Sequence, residues 1–349
     1  MMVEKILEDL IDEQLKPIVK KIDAEGFYSR EFLVALGKLG FFSSKGFSEK
    51  EIVLREIKLV EGIAKVCMTT AFNVWCHLAA LTFVRNCDNS YIKNEVLPLL
   101  ENGERLGGTG LSNAMKYYAG LESLHLKATR LEGGYILSGQ LPSVSNLGPD
   151  HCFGIIASVH KDQRIMALVP CHSEGLKRKE QQEYLALNGS ATFSCLFEDV
   201  FIPNEWIIAK HADDYVQKIR STFVLYQISL GLGVTEASIQ CIQKAGNKPG
   251  GCNEYLNVQP DELIAELEML RDQTLALVDD SDSITQWRRV LKARLDMVHL
   301  TSKAVHESML HQGGTAYLQH SDPSRRLRES YFLANLTPTV KHLGKMLKV

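Results

Sequence analysis

The residues in this chain best placed for chemistry are small hydroxyls set beside glycines. Thr109 and Ser112 close the run Gly103-Glu104-Arg105-Leu106-Gly107-Gly108-Thr109-Gly110-Leu111-Ser112. Ser145 ends Gly134-Tyr135-Ile136-Leu137-Ser138-Gly139-Gln140-Leu141-Pro142-Ser143-Val144-Ser145-Asn146. A hydroxyl can donate and accept hydrogen bonds, and glycine lets a backbone N–H come close to a ligand. The same residue types build ordinary turns, so no single position decides anything. A third glycine break, Gln312-Gly313-Gly314-Thr315-Ala316-Tyr317, offers bare N–H groups of the kind that hold a phosphate. Glu307 and His311 share a helix face beside His306, but no third ligand is evident and no metal site is expected. The eight cysteines contain no C-x-x-C pair and read as buried or idle thiols in a reducing, cytoplasmic compartment. Tyr117-Tyr118 reads as β-surface.

These positions need elements to carry them. The chain has 349 residues, more than one core usually covers, so two or three sub-domains are expected. A net charge of -3 gives no reason to expect nucleic acid or a membrane surface as partner. The short basic runs Lys177-Arg178-Lys179 and Arg325-Arg326-Leu327-Arg328 read as solvated surface. The apolar stretch Thr69 to Val84 is too short to span a bilayer and reads as a core helix. Residues 1–104 carry helix periodicity. Leu7, Leu10, Ile11, Leu15 and Ile18 share a face, and Ser48 with Glu51 makes a capping box. Residues 105–208 change texture. Leu126 and Ala128, then Glu132-Gly133-Gly134, then Tyr135 and Leu137 spell a hairpin. Further strands are expected over Phe153–Val159, Arg164–Val169 and Phe193–Phe201, with Pro203 ending the β region. Residues 209–349 return to helix. One helix starts at Pro260, a long one runs from about Thr285 toward Met309, and a last one spans roughly Pro323 to Leu333.

Four local signatures, in order, resemble the acyl-CoA dehydrogenase superfamily over nearly the whole chain. They are the Gly103–Ser112 segment, the Gly134–Asn146 segment, the strand Phe197-Glu198-Asp199-Val200-Phe201-Ile202-Pro203, and Gln312–Tyr317 followed by Arg325 to Glu329. The resemblance implies an α+β fold of three parts: an N-terminal helical domain, a central β-barrel-like domain and a C-terminal four-helix bundle. It implies a flavoprotein binding FAD, or alternatively FMN. Thr109, Ser112, Val144 and Ser145 would lie at the flavin ring. Gln312, Gly313 and Gly314 would meet the adenosine-diphosphate part across a dimer interface, in a homodimer or homotetramer. Expected partners are an acyl-CoA or acyl-carrier thioester and an electron-transfer partner or flavin reductase.

The sequence also departs from that family. The carboxylate base that removes the α-proton would fall at about Thr337, or near Ser221 or Thr222, and none of these is an acid. A Thr is neutral at ordinary pH. The Trp beside the flavin is replaced by Ser143, and only Lys248 could supply the charge that grips the FAD tail. Asp322, Glu329 and Glu307 are the acids left as candidate bases. Three functions therefore stand side by side: an oxidoreductase acting on the CH–CH bond of an acyl thioester, as in fatty acid metabolism; a reduced-flavin-dependent monooxygenase; and a non-catalytic acyl- or carrier-binding protein.

Overall fold

The computed structural model describes residues 2–246, 250–278 and 283–348. Lys248 and residues 279–282 lie outside that range. The chain begins with α1 (Met2–Leu10), α2 (Val19–Glu25) and α3 (Arg30–Lys38). One continuous amphipathic helix over the first turns does not form. The backbone widens over Ile11–Leu15 and tightens over Lys16–Ile18, because Pro17 has no N–H to continue the ladder. Leu10, Ile11 and Leu15 are buried all the same.

α4 (Glu49–Ala64) starts as its capping box requires: the Ser48 side chain accepts from the Glu51 N–H, and Glu51 accepts from the Ser48 N–H. α5 (Met68–Arg85) is buried at every residue from Met68 to Val84. A helix apolar all round belongs in a core, and α5 packs against α4 and the elements that follow. A short α6 (Leu97–Glu101) leads into the sheet region.

That region contains β1 (Gly107–Thr109), α7 (Ser112–Tyr118), β2 (Leu126–Leu131), β3 (Gly134–Val144), β4 (Cys152–His160), β5 (Gln163–Pro170), β6 (Leu176–Glu180), β7 (Phe193–Pro203) and β8 (Ile207–Ala209). One eight-stranded sheet results, in the order β6-β7-β3-β2-β4-β5-β8, with β1 paired in parallel to β4. The hairpin forms as spelled, with Leu131 opposite Gly134 and Gly133 at φ 80°. Leu126, Ala128, Tyr135 and Leu137 turn inward, into a second apolar core inside the sheet. Pro203 does not end the β region, since β8 follows and pairs with β5. Tyr117 and Tyr118 lie on a helix, not on a strand.

The chain closes with α8 (Ala212–Ala245), α9 (Pro260–Ala276), α10 (Ser283–Gln312), α11 (Asp322–Asn335) and α12 (Val340–Lys348). α8 packs on α10, α9 and α4, and α11 packs on α10 and α8. Among the described residues, no helix is long and apolar enough to cross a membrane. All eight cysteines are free and six are buried.

Two basic runs fare differently. Lys177–Lys179 sits on the edge strand β6. Arg325 and Arg326 are buried rather than solvated. The acids around Arg325 account for its place: it reaches both carboxylate oxygens of Glu329 at 3.2 Å and Asp322 at 3.2 Å. Arg328 makes a two-pronged pair with Asp23, at 2.8 and 2.7 Å, tying α11 to α2.

A further buried network joins the N-terminal helices to α8. Arg85 pairs with Glu56 at 2.7 Å and Glu101 at 3.1 Å, and donates to the Phe42 carbonyl; the Tyr226 hydroxyl donates to the other oxygen of Glu56. Removing one member strands the rest without water. Arg85→Met is expected to lower unfolding free energy by about 3–5 kcal/mol, read from denaturant curves; a loss below 1 kcal/mol would contradict the role given to this network.

Candidate functional site

The packing of β1 on α5 sets the site. A Cβ at Gly107 would stand 2.4 Å from the Ala80 Cβ, so only glycine lets the strand lie this close to the helix. His77 is one turn earlier on α5. Its Nδ1 accepts the Gly107 N–H at 2.9 Å, and its Nε2 therefore carries the hydrogen, donated to the Leu100 carbonyl at 3.1 Å. Complete burial pulls the His77 pKa down to about 3, so the ring is neutral. The Gly107 carbonyl accepts from Asn146 Nδ2 at 2.7 Å, and Asn146 Oδ1 accepts from the Tyr28 hydroxyl at 2.6 Å. The peptide of Gly107 is thus held at both ends by buried side chains.

Two residues further on, Thr109 forms an isolated antiparallel bridge with Ser145, just past the end of β3. The two strand ends singled out by their hydroxyls therefore meet. Thr109 and Val144 are buried and Ser145 is half-buried. The Ser145 hydroxyl shares a 2.7 Å hydrogen bond with that of Thr192, which shares another, at 2.8 Å, with Ser190. This three-hydroxyl chain was not foreseen from sequence. The signal was the Ser190-Ala191-Thr192 triplet ahead of β7, too short to stand out. His77 was missed because it sits inside an apolar run.

Ser112 begins α7 rather than lying in a loop, because Asn113 folds the segment back: its side chain donates to Glu122 at 2.7 Å and to the Ser123 carbonyl at 2.9 Å. The Ser112 hydroxyl lies 3.0 Å from the Thr337 hydroxyl, in the connection between α11 and α12. The Thr337 carbonyl accepts from Gln227 Nε2 on α8 at 3.0 Å. Thr337, Pro338, His342 and Met346 close on Met115, Lys116, Ala119 and Leu121, leaving a cavity of about 10 Å³, room for one water. Ser221 and Thr222 lie half-buried on α8.

The third glycine break is not joined to the strand-end pair by any contact. Gln312 donates to the Cys241 carbonyl at 2.8 Å, at the far end of α8. A Cβ at Gly313 or Gly314 would meet nothing within 4 Å, so the side-chain face of both glycines is open. His311 Nε2 donates to the Val258 carbonyl at 3.0 Å, and no group of three metal-ligating side chains occurs among the described residues. Asp322 and Glu329 are engaged by Arg325. A larger groove of about 540 Å³, lined by Gln140, Lys179 to Glu183 and Ser194, shares no residue with the strand-end pair.

This architecture has many solved counterparts. The glutaryl-coenzyme A dehydrogenase glutaryl-CoA complex superposes with a TM-score of 0.86 at 17% identity, over 99% of this chain and 93% of that one. Butyryl-CoA dehydrogenase from Megasphaera elsdenii gives 0.81 at 18% identity, covering 99% and 95%. The fold is that of the acyl-CoA dehydrogenases. No family model matches the chain. A curated sequence relative, the short-chain specific acyl-CoA dehydrogenase of Clostridium acetobutylicum, is 24% identical over 61% of this chain, a stretch spanning 59% of that protein's length. In sequence over part of its length, and in fold over nearly all of it, the chain is similar to acyl-CoA dehydrogenases.

The depressed His77 pKa has a sign that can be checked. Below its ordinary 6.5 the unfolded chain binds a proton at His77 that the folded chain refuses until about pH 3. Stability from this residue is complete above pH 6.5 and falls as pH drops toward 3, by up to about 1.4 kcal/mol per unit. In His77→Gln that part of the acid sensitivity should vanish, measured as the slope of unfolding free energy against pH. Equal slopes in the two proteins would remove the buried neutral imidazole from this account.

Proposed function

We propose that the chain is a flavin-dependent oxidoreductase acting on the CH–CH bond of an acyl thioester, with FAD as cofactor and FMN as the alternative. The observation that carries this reading is the meeting of Thr109 with Ser145 at two strand ends. The donor set fits the group. A flavin ring presents carbonyl oxygens and ring nitrogens along one edge, and Thr109, Ser112, Ser145 and the backbone beside Val144 are hydroxyl and amide partners of matching size. Gly313 and Gly314 leave open space where side chains would stand, and with Gln312 would serve the cofactor of a partner subunit in a homodimer or homotetramer. The division at residues 104/105 and 208/209 into helical, β and helical domains belongs to the same proposal.

A bound flavin supplies acceptance of a hydride from the β-carbon. This chain's residues must bind the thioester, exclude water and remove the α-proton. Thr337 takes the place of the family base, and its hydroxyl, paired with Ser112, cannot accept that proton at ordinary pH. Glu329 and Asp322 are both held by Arg325, so neither carboxylate stands free as the proton acceptor.

The test is anaerobic titration of the flavin-loaded protein with acyl-CoA thioesters. Loss of the oxidised flavin absorbance on thioester addition is the expected result. A protein that purifies colourless and retains no added flavin would identify the non-catalytic binding protein instead. Turnover that needs both a reductase and oxygen, with a transient flavin–oxygen adduct, would identify the monooxygenase. Ser145→Ala is expected to weaken flavin binding by about 3–10-fold, the worth of one hydrogen bond, measured by fluorescence titration; unchanged affinity removes Ser145 from the cofactor site.

A further inference from the structure

Arg294, on α10, has no exposed surface, and among the described residues no carboxylate pairs with it. Its Nε donates to Gln227 Oε1 at 3.1 Å and its Nη2 to the Leu333 carbonyl at 2.7 Å. Its Nη1 is buried with no hydrogen-bond partner. Arg85 and Arg325, also buried, each meet two carboxylates. An interior cation without an anion is unfavourable, and two neutral oxygens do not offset the loss of water. Arg294 thus keeps one buried N–H uncommitted beside two neutral acceptors.

Its position says what the anion belongs to. Gln227, the residue whose oxygen faces Arg294, turns its amide nitrogen to the Thr337 carbonyl. The guanidinium therefore stands one side chain behind the place proposed above for the reacting end of the acyl group. We propose that Arg294 receives a carboxylate at the far end of the acyl chain, so that the thioester this protein prefers carries a second, free carboxyl group. The carboxylate takes the vacant Nη1–H and replaces Gln227 Oε1 at the guanidinium, giving the two-pronged pairing that a planar fork favours. Gln227, released from Arg294, keeps its hold on the Thr337 segment. This inference rests on the acyl-thioester reading and sharpens it to a substrate class.

The competing role is purely structural, with Arg294 tying α10 to the C-terminal end of α11 through Leu333. Calorimetric titration of the flavin-loaded protein separates the two. The ligands are coenzyme A mono-thioesters of unbranched dicarboxylic acids and, as controls, unbranched acyl-CoA of equal length. The native protein is expected to bind the best carboxylated ligand about tenfold or more tightly than its control, the worth of a charge-assisted hydrogen bond. That ratio should fall to about one in Arg294→Met, which removes the fork, and in Gln227→Glu, which supplies an internal counter-ion. If Arg294→Met does not fold, the structural role is supported and the proposal must stand on Gln227→Glu alone; a ratio there equal to the native one overturns it. A native ratio near one, with both ligands bound, overturns this inference and leaves the thioester reading intact. Failure to bind any thioester overturns both.

Discussion

The peptide of Gly107 is the point on which this structure turns. Its N–H is taken by a histidine of the central helix and its carbonyl by Asn146 of the loop that follows β3. An unmade hydrogen bond at a site without water costs far more than a made one contributes, so both partners are fixed by the burial itself. Because Ala80 leaves no space for a side chain at 107, strand and helix cannot slide apart and repack around a larger residue. Thr109, two residues along, then has one possible position. Ser145, next to Asn146, has the other, and the two meet. The sheet thus takes its registration at this corner from α5, a helix nearly every atom of which is out of reach of solvent.

Charge pairs extend this frame outward. Arg85 with Glu56 and Glu101 locks the N-terminal helices to one another and, through Tyr226, to α8. Arg328 with Asp23 fastens α11 back onto α2, 305 residues earlier in the chain. Arg164 with Asp213, joined by the Tyr118 hydroxyl, holds α7 and β5 to the start of α8. Each pair bridges segments distant in sequence, and at Glu56, almost wholly out of solvent, a partner lost is a charge stranded. They serve registration between layers more than net stability.

Much of the fold was legible because its cues are local. A capping box needs only Ser48 and Glu51, and a two-residue hairpin turn needs only Gly133 and the alternation around it. α7 was not legible, since its fold-back depends on Asn113 meeting Glu122 and the Ser123 carbonyl in three dimensions. β6 hid inside a basic run, for an edge strand can be polar on both faces. The break after α1 was masked by unbroken apolar periodicity, which Pro17 overrides. At the site, the hydroxyls at 109, 112 and 145 could be picked out by type and glycine neighbours. His77 could not, because a histidine in an apolar run reveals its role only when Gly107 is placed beside it. The solvation expected of Arg325 failed for the same reason: Glu329 lies one helical turn away and faces inward with it.

The segment from Leu333 to Met346 is where this frame is weakest, and that has consequences for entry to the site. Its inner edge is pinned by Arg294 at the Leu333 carbonyl and by Gln227 at the Thr337 carbonyl. Beyond Thr337 the hold loosens. Among the described residues, Leu343 alone of α12 is buried, and Arg288 reaches the Leu347 carbonyl from an exposed position. Against α7 the closure consists of the Ser112–Thr337 hydroxyl pair and the apolar contacts around one small cavity. A neutral hydrogen bond of that kind contributes about 0.5–1.5 kcal/mol, well under what the charge pairs of the frame would cost to break. Local opening follows the cheapest set of contacts. Local opening at this place parts α12 from α7 at less cost than it would take to part the Gly107 corner or the charge pairs.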